Sequence, residues 1–148
     1  MYVLNMTIKK NIVKNAPNPV GNYPHSNEIN GILYLSGVGP RDSNDNSIPG
    51  NVYNNDGELV SYDIEQQTHA VLNNVKNILE ESNSSWSGLI DVTVFLVNMK
   101  NDFNKFNEIY NLYFPECHAC RTTLEVNALP TDIAIEFKCI ALINKDEK

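Results

Sequence analysis

At 148 residues the chain is long enough for one domain with a real core and short for two. Its composition, 42% hydrophobic and 20% charged, is that of a globular protein, and no apolar run approaches the roughly 20 residues a membrane helix requires. A formal net charge of -7, with no lysine or arginine cluster to offset it, argues against nucleic acid as a partner.

Between Met1 and Lys14 the lysines follow scattered apolar residues, and no small-residue cleavage site comes after them, so no secretion signal is expected. Three cysteines without such a signal imply reduced thiols and a cytoplasmic location. Residues 1–14 are read as an N-terminal segment with the first strand, and 15–148 as a single domain.

Asn30-Gly31 stands between Glu28-Ile29 and the run from Ile32 to Ser36, a two-residue hairpin signal because both turn residues tolerate positive φ. The Asn-, Asp-, Gly- and Pro-rich stretch from Pro40 to Gly57 reads as a long irregular loop. From Asp63 to Glu81 the residues Ile64, Val71, Leu72, Val75, Ile78 and Leu79 repeat at helical spacing, with Ser61 to Asp63 offering an N-cap. Val92 to Val97 is a β-branched and aromatic run suited to a buried strand. Phe103, Phe106, Tyr110, Tyr113 and Phe114 then mark a second helix ending at Pro115, and two more strands follow over 121–126 and 133–143. The order is satisfied by an α+β fold in which one antiparallel or mixed sheet carries both helices on one face.

If the last two strands form a hairpin turning near Leu129, Thr122 and Leu124 share the core face with Ile135 and Ile133. Arg121 then meets Glu136 on the opposite face, with Thr123 beside them and Lys138 one step along. That helix-free face also carries Ile140 and Leu142, which points to self-association. An acid and an arginine so placed read as a cross-strand ion pair or as a site. Asn107, within the apolar stripe of the second helix, reads as a structural amide or as a ligand contact. Arg41 and Arg121 are the only arginines, and the guanidinium fork is the side chain that grips a carboxylate bidentately. Arg41 equally reads as a surface loop residue. Cys117-His118-Ala119-Cys120 lacks the strand-to-helix context of a redox pair and the further ligands of a zinc site, so neither metal nor cofactor is expected. His25, beside Tyr23 and Pro24, shows no chemical partner in the sequence.

Taken together, Ala16-Pro17, Gly21 and Tyr23, Leu35-Ser36-Gly37, Val94-Phe95-Leu96 and the phenylalanine-rich helix resemble the Rid (reactive intermediate deaminase) family. The tail from Arg121 through Glu125-Val126, Leu129-Pro130 and Asp132 to Ile135-Glu136 is the most specific part of that resemblance, which spans Asn15 to Ile143. It implies a chorismate-mutase-like α+β sandwich and a homotrimer with sites in the clefts between subunits. It also implies that Arg121 holds a substrate carboxylate, Glu136 positions or activates water, and Tyr23, Ser36, Gly37 and Asn107 line or brace the pocket. Thr123 stands where many members have cysteine, which alters the pocket wall. Within the family the chain is most similar to 2-aminomuconate deaminases, through Tyr23-Pro24-His25, Pro40-Arg41, Asn46 to Gly50, Asp63-Ile64-x-x-Gln67-Thr68, Phe95 to Met99 and Arg121-Thr122-Thr123. The implied partner is a small carboxylate, and Arg41 could hold the distal carboxylate of a dicarboxylic substrate. The implied reaction is hydrolysis of an enamine or imine of a 2-oxo acid to the oxo acid and ammonia. Broad action on 2-iminopropanoate, a non-catalytic metabolite-binding or chaperone-like trimer, and RNA cleavage are the rival readings, the last opposed by the acidic charge.

Overall fold

A computed structural model of the chain describes residues 7–116 and 119–144. Strand β1 (Lys9–Asn11) pairs antiparallel with β2 (Ser26–Ile29), which turns into β3 (Ile32–Leu35). The turn is closed by Asn30 and Gly31 at φ 52° and 77°, the positive values that a two-residue hairpin demands. The long loop that follows is not wholly irregular: β4 (Val52–Tyr53) and β5 (Leu59–Ser61) make a small ribbon of their own.

Helix α1 (Ile64–Glu81) starts where Asp63 accepts hydrogen bonds from the backbone N–H groups of Glu65 (2.9 Å) and Gln66 (3.1 Å), satisfying donors that the helix cannot. Strand β6 (Leu89–Leu96) leads into α2 (Met99–Tyr113), capped by Asn98, and α2 leads to β7 (Cys120–Glu125). Because β6 and β7 run parallel, their connection must cross over the sheet, and α2 is that crossover. Strand β8 (Ile135–Leu142) closes the sheet in the order β1-β2-β3-β8-β6-β7. Both helices pack on one face. Val71, Leu72, Val75 and Leu79 of α1 and Phe106 and Ile109 of α2 are buried in one core with alternate residues of β3, β6 and β8. Phe106 meets Phe137 edge to face, with ring centroids 6.1 Å apart.

The expected C-terminal hairpin does not form. Strand β6 lies between β7 and β8, and this reverses the faces assigned to β7. Arg121 and Thr123 stand opposite Val92 and Val94 and share their helix-covered face. Thr122 and Leu124 join Thr93 and Phe95 on the other face, where Glu136, Lys138, Ile140 and Leu142 were expected and are found. The physical reason lies in β8: Ile135, Phe137, Cys139 and Ala141 are all buried, and such a strand gains most contact in the middle of the sheet, flanked by β3 and β6. The face turned away from the helices is apolar in patches, with Tyr34 40% and Leu142 51% exposed beside half-buried Phe95, Leu124 and Ile140.

Candidate functional site

Arg121 lies near the start of the edge strand β7, with its side chain running beneath α2. Its guanidinium carbon stands 4.6 Å from the ring centroid of Tyr110 and 5.3 Å from that of Phe106. One terminal nitrogen donates to Asn107 Oδ1 at 2.9 Å. These three partners come from consecutive turns of one helix, so the fork is held by ring faces and an amide rather than by a carboxylate on a neighbouring strand. Beside it opens a groove lined by Phe114, Pro115, Ala119 and Cys120. Thr123 follows Arg121 on the same face, and its Oγ1 is buried with no hydrogen-bond partner among the described residues. Asn107 thus braces the arginine. The stripe of aromatic residues in α2 was legible in the sequence, but its role as the platform for Arg121 was not.

Glu136 stands on the opposite face of the sheet, so the expected direct pair with Arg121 is absent within one chain. Its surroundings follow from an irregularity in β3. Tyr34 lies opposite Ile140 whereas Val38 lies opposite Phe137, which inserts one extra residue on the side that carries Leu35, Ser36 and Gly37. The bulge leaves the Leu35 carbonyl to accept from the Lys138 ammonium and brings Gly37 against the Glu136 carboxyl group. A Cβ on Gly37 would lie 2.5 Å from Glu136 Oε1, so only glycine permits this approach. Burial raises the Glu136 pKa above the ordinary glutamate value. Within the single chain Arg121 exerts no opposing pull, because it lies on the other face of the sheet. Gly37→Ala is expected to push the carboxyl group outward and return its titration, followed by carbon NMR, toward the ordinary value of 4.5.

Tyr23, Ser36, Gly37 and Arg41 line one cleft together with His25 and Ile78. The Ser36 hydroxyl donates to the Pro24 carbonyl at 2.7 Å, which fixes its orientation while leaving its oxygen able to accept. Arg41 donates to Asn46 Oδ1 (2.8 Å) and to the Asn18 carbonyl (2.7 Å). His25 has a structural role that the sequence did not reveal. It is 4% exposed, its Nδ1 accepts from the Val13 N–H at 3.2 Å, and its Nε2 lies 3.0 Å from the Pro17 carbonyl, so it pins the N-terminal segment over the cleft.

The predicted residues therefore fall into two groups within the chain. Arg121, Asn107 and Thr123 lie under α2. Tyr23, Ser36, Gly37 and Arg41 share the cleft, with the Glu136 carboxyl group against Gly37. Of the thiol motif, Cys117 and His118 lie outside the described residues, and Cys120 is exposed at the groove beside Arg121. Cys139 is buried beneath the helices, where desolvation pushes its thiol up to about 12. Among the described residues no cluster of His, Cys, Asp or Glu is arranged to hold a metal ion, and no helix is long and apolar enough to cross a membrane.

Comparison with known proteins gives matches along nearly the whole chain. The family model described as Endoribonuclease L-PSP matches residues 13–143. A RutC family protein of Pyrococcus horikoshii is 40% identical over 128 residues, which are 86% of this chain and 92% of that protein. Reactive Intermediate Deaminase A, chloroplastic, of Arabidopsis thaliana is 35% identical over 139 residues, 93% of this chain and 68% of that protein. Among solved structures, yeast Mmf1 superposes with a TM-score of 0.78 at 32% identity, covering 93% of this chain and 100% of that one. Escherichia coli TdcF with bound serine superposes with a TM-score of 0.77 at 27% identity, covering 91% and 100%.

Proposed function

Because the chain belongs to the Rid (endoribonuclease L-PSP) family, we propose that it is a deaminase that hydrolyses the enamine or imine of a 2-oxo acid, working as a homotrimer with sites between subunits. The observation that carries this reading is the placement of Arg121 and Glu136, the two residues the family signature singles out, on opposite faces of one sheet. A second copy laid against the apolar free face, around Tyr34 and Leu142, is the simplest way to bring one chain's arginine to another's glutamate. A relative named as a deaminase, and another solved with bound serine, a small molecule bearing a carboxylate, support the same class of ligand.

In this mechanism Arg121, held over the rings of Tyr110 and Phe106 and braced by Asn107, takes the carboxylate next to the C–N centre. An enamine substrate takes up a proton at carbon to become the imine. Water oriented by Glu136 adds to the imine carbon, its proton passing to the carboxylate. The nitrogen takes up a proton to give the carbinolamine and a second one from the Glu136 carboxyl group; the C–N bond then breaks as the added hydroxyl gives up its proton, releasing ammonia and the oxo acid. The imine is already electrophilic, so orientation and proton handling are what this chain has to supply.

Arg41 is the residue on which we base the substrate subclass. It shares a cleft with Tyr23, Ser36 and Gly37, and a cation there suits a substrate with a second carboxylate, as in 2-aminomuconate. The test is ammonia release from enzymatically generated 2-aminomuconate and 2-iminopropanoate, side by side and corrected for spontaneous hydrolysis, with the assembly state measured by sedimentation equilibrium. Preference for 2-aminomuconate is expected. Preference for 2-iminopropanoate makes the protein a general imine scavenger, and silence on both by a folded trimer replaces the enzyme reading with a metabolite-binding one.

A further inference from the structure

Helix α1 reaches the cleft through a row of four buried residues. Gln67, Val71, Asn74 and Ile78 follow one another at i, i+4, i+7 and i+11, which places them along one face of the helix. Ile78 touches the cleft itself. The two amides in the row, 0% and 5% exposed, both direct their N–H donors to the loop between β3 and β4. Asn74 Nδ2 donates to the carbonyls of Gly39 and Arg41, each at 2.9 Å, at the point where the loop leaves the Gly37 bulge. Gln67 Nε2 donates to Asn51 Oδ1 at 2.8 Å, at the point where the loop returns. Asn51 then donates to the Asp132 carbonyl (2.9 Å), and the Ala134 N–H donates back to Gln67 Oε1 (2.8 Å). This closes a ring of hydrogen bonds between α1, the loop and the segment that enters β8 two residues before Glu136.

A loop of this length and composition has little apolar burial of its own to hold it. Buried amides satisfied by loop backbone serve as fixed anchors, because leaving them unpaired costs more than the bonds themselves return. We propose that Gln67 and Asn74 clamp the two ends of the 39–51 loop, and that Asn74, by holding the Arg41 backbone, is a positioning residue that sets preference for a substrate with a second anionic group. The proposal rests on the reading of Arg41 given above.

The test has two readouts on the assembled full-length protein. Asn74→Leu removes both donors while filling most of the space. Asn51→Ala loosens the loop from outside the core and serves where the first variant folds poorly. The first readout is tryptic cleavage at the Arg41–Asp42 bond under native conditions, followed by mass spectrometry. Cleavage is expected to be about tenfold faster in Asn74→Leu than in the parent, since local opening governs it. The second is the ratio of kcat/KM for 2-aminomuconate to that for 2-iminopropanoate, expected to fall about tenfold. A cleavage rate within twofold of the parent overturns the clamp. Faster cleavage with an unchanged substrate ratio overturns the specificity role alone. Silence of the parent on both substrates overturns the reading of the reaction and the specificity role with it, while the cleavage rates still decide the clamp.

Discussion

Arg121→Ala is expected to lower kcat/KM for either imine substrate about a hundred- to a thousand-fold, the loss that follows when a charge-assisted, partly desolvated grip on a carboxylate is removed. The fold should survive, because the side chain lies half-buried at an edge strand and the core beneath α2 is made by Phe106, Ile109 and Phe137. What is lost is local: the ring faces of Tyr110 and Phe106 lose their cation, and the Asn107 amide loses its donor. Arg121→Lys is expected to recover little, since an ammonium is a point charge without the planar fork that meets both carboxylate oxygens. Steady-state kinetics with sedimentation equilibrium checks this. Full activity in a folded Arg121→Ala trimer overturns the assignment of the arginine and with it the proposed reaction.

Glu136→Gln is expected to lower kcat about a hundred- to ten-thousand-fold, the range spanned by a lost general base. The pH profile distinguishes a proton-handling role from simple disturbance of the pocket. Burial raises the folded-state pKa of Glu136, so the ionised form that activates water is lost as pH falls through a value above the ordinary 4.5. An acidic limb of kcat/KM that reports this ionisation is therefore expected, and it should vanish in Glu136→Gln. A limb that persists unchanged in the variant belongs to another group and removes Glu136 from the role of base. The linked effect on stability has a definite sign. A carboxyl group whose folded-state pKa is raised contributes stability that is present at low pH and lost as pH rises through that pKa. In dilute, dissociated protein at neutral pH Glu136→Gln should accordingly unfold at a higher temperature than the parent, and the gain should shrink as pH is lowered toward 4.5. The same burial that favours catalysis costs stability at the pH where the ionised form is needed.

Much was determined by the sequence alone, for a local reason. The Asn30-Gly31 turn, the capped helix after Asp63, the helix through Phe106 and Tyr110 and the buried strand around Val94 each depend on backbone preferences and periodicity within a dozen or so residues, and each is found where it was expected, the second helix starting four residues earlier at Met99. The family signature of the tail was also legible, because it is written in residue identities rather than in geometry. Strand pairing was decided elsewhere. Alternation along 121–126 suits a hairpin with 133–143 as well as it suits an edge strand parallel to β6, because both pairings present the same side chains at a period of two. The sequence did contain a hint, since residues 127–132 between the two expected strands make a longer connection than a two-residue hairpin uses. What settled the matter was the burial of β8 from both neighbours, a property of the whole sheet and of none of its segments. That single insertion of β6 moved Arg121 to the helix side and left Glu136 on the free face. The sequence could name the two residues, but only the tertiary structure could separate them, because which face a strand residue occupies is set by its neighbours across the sheet.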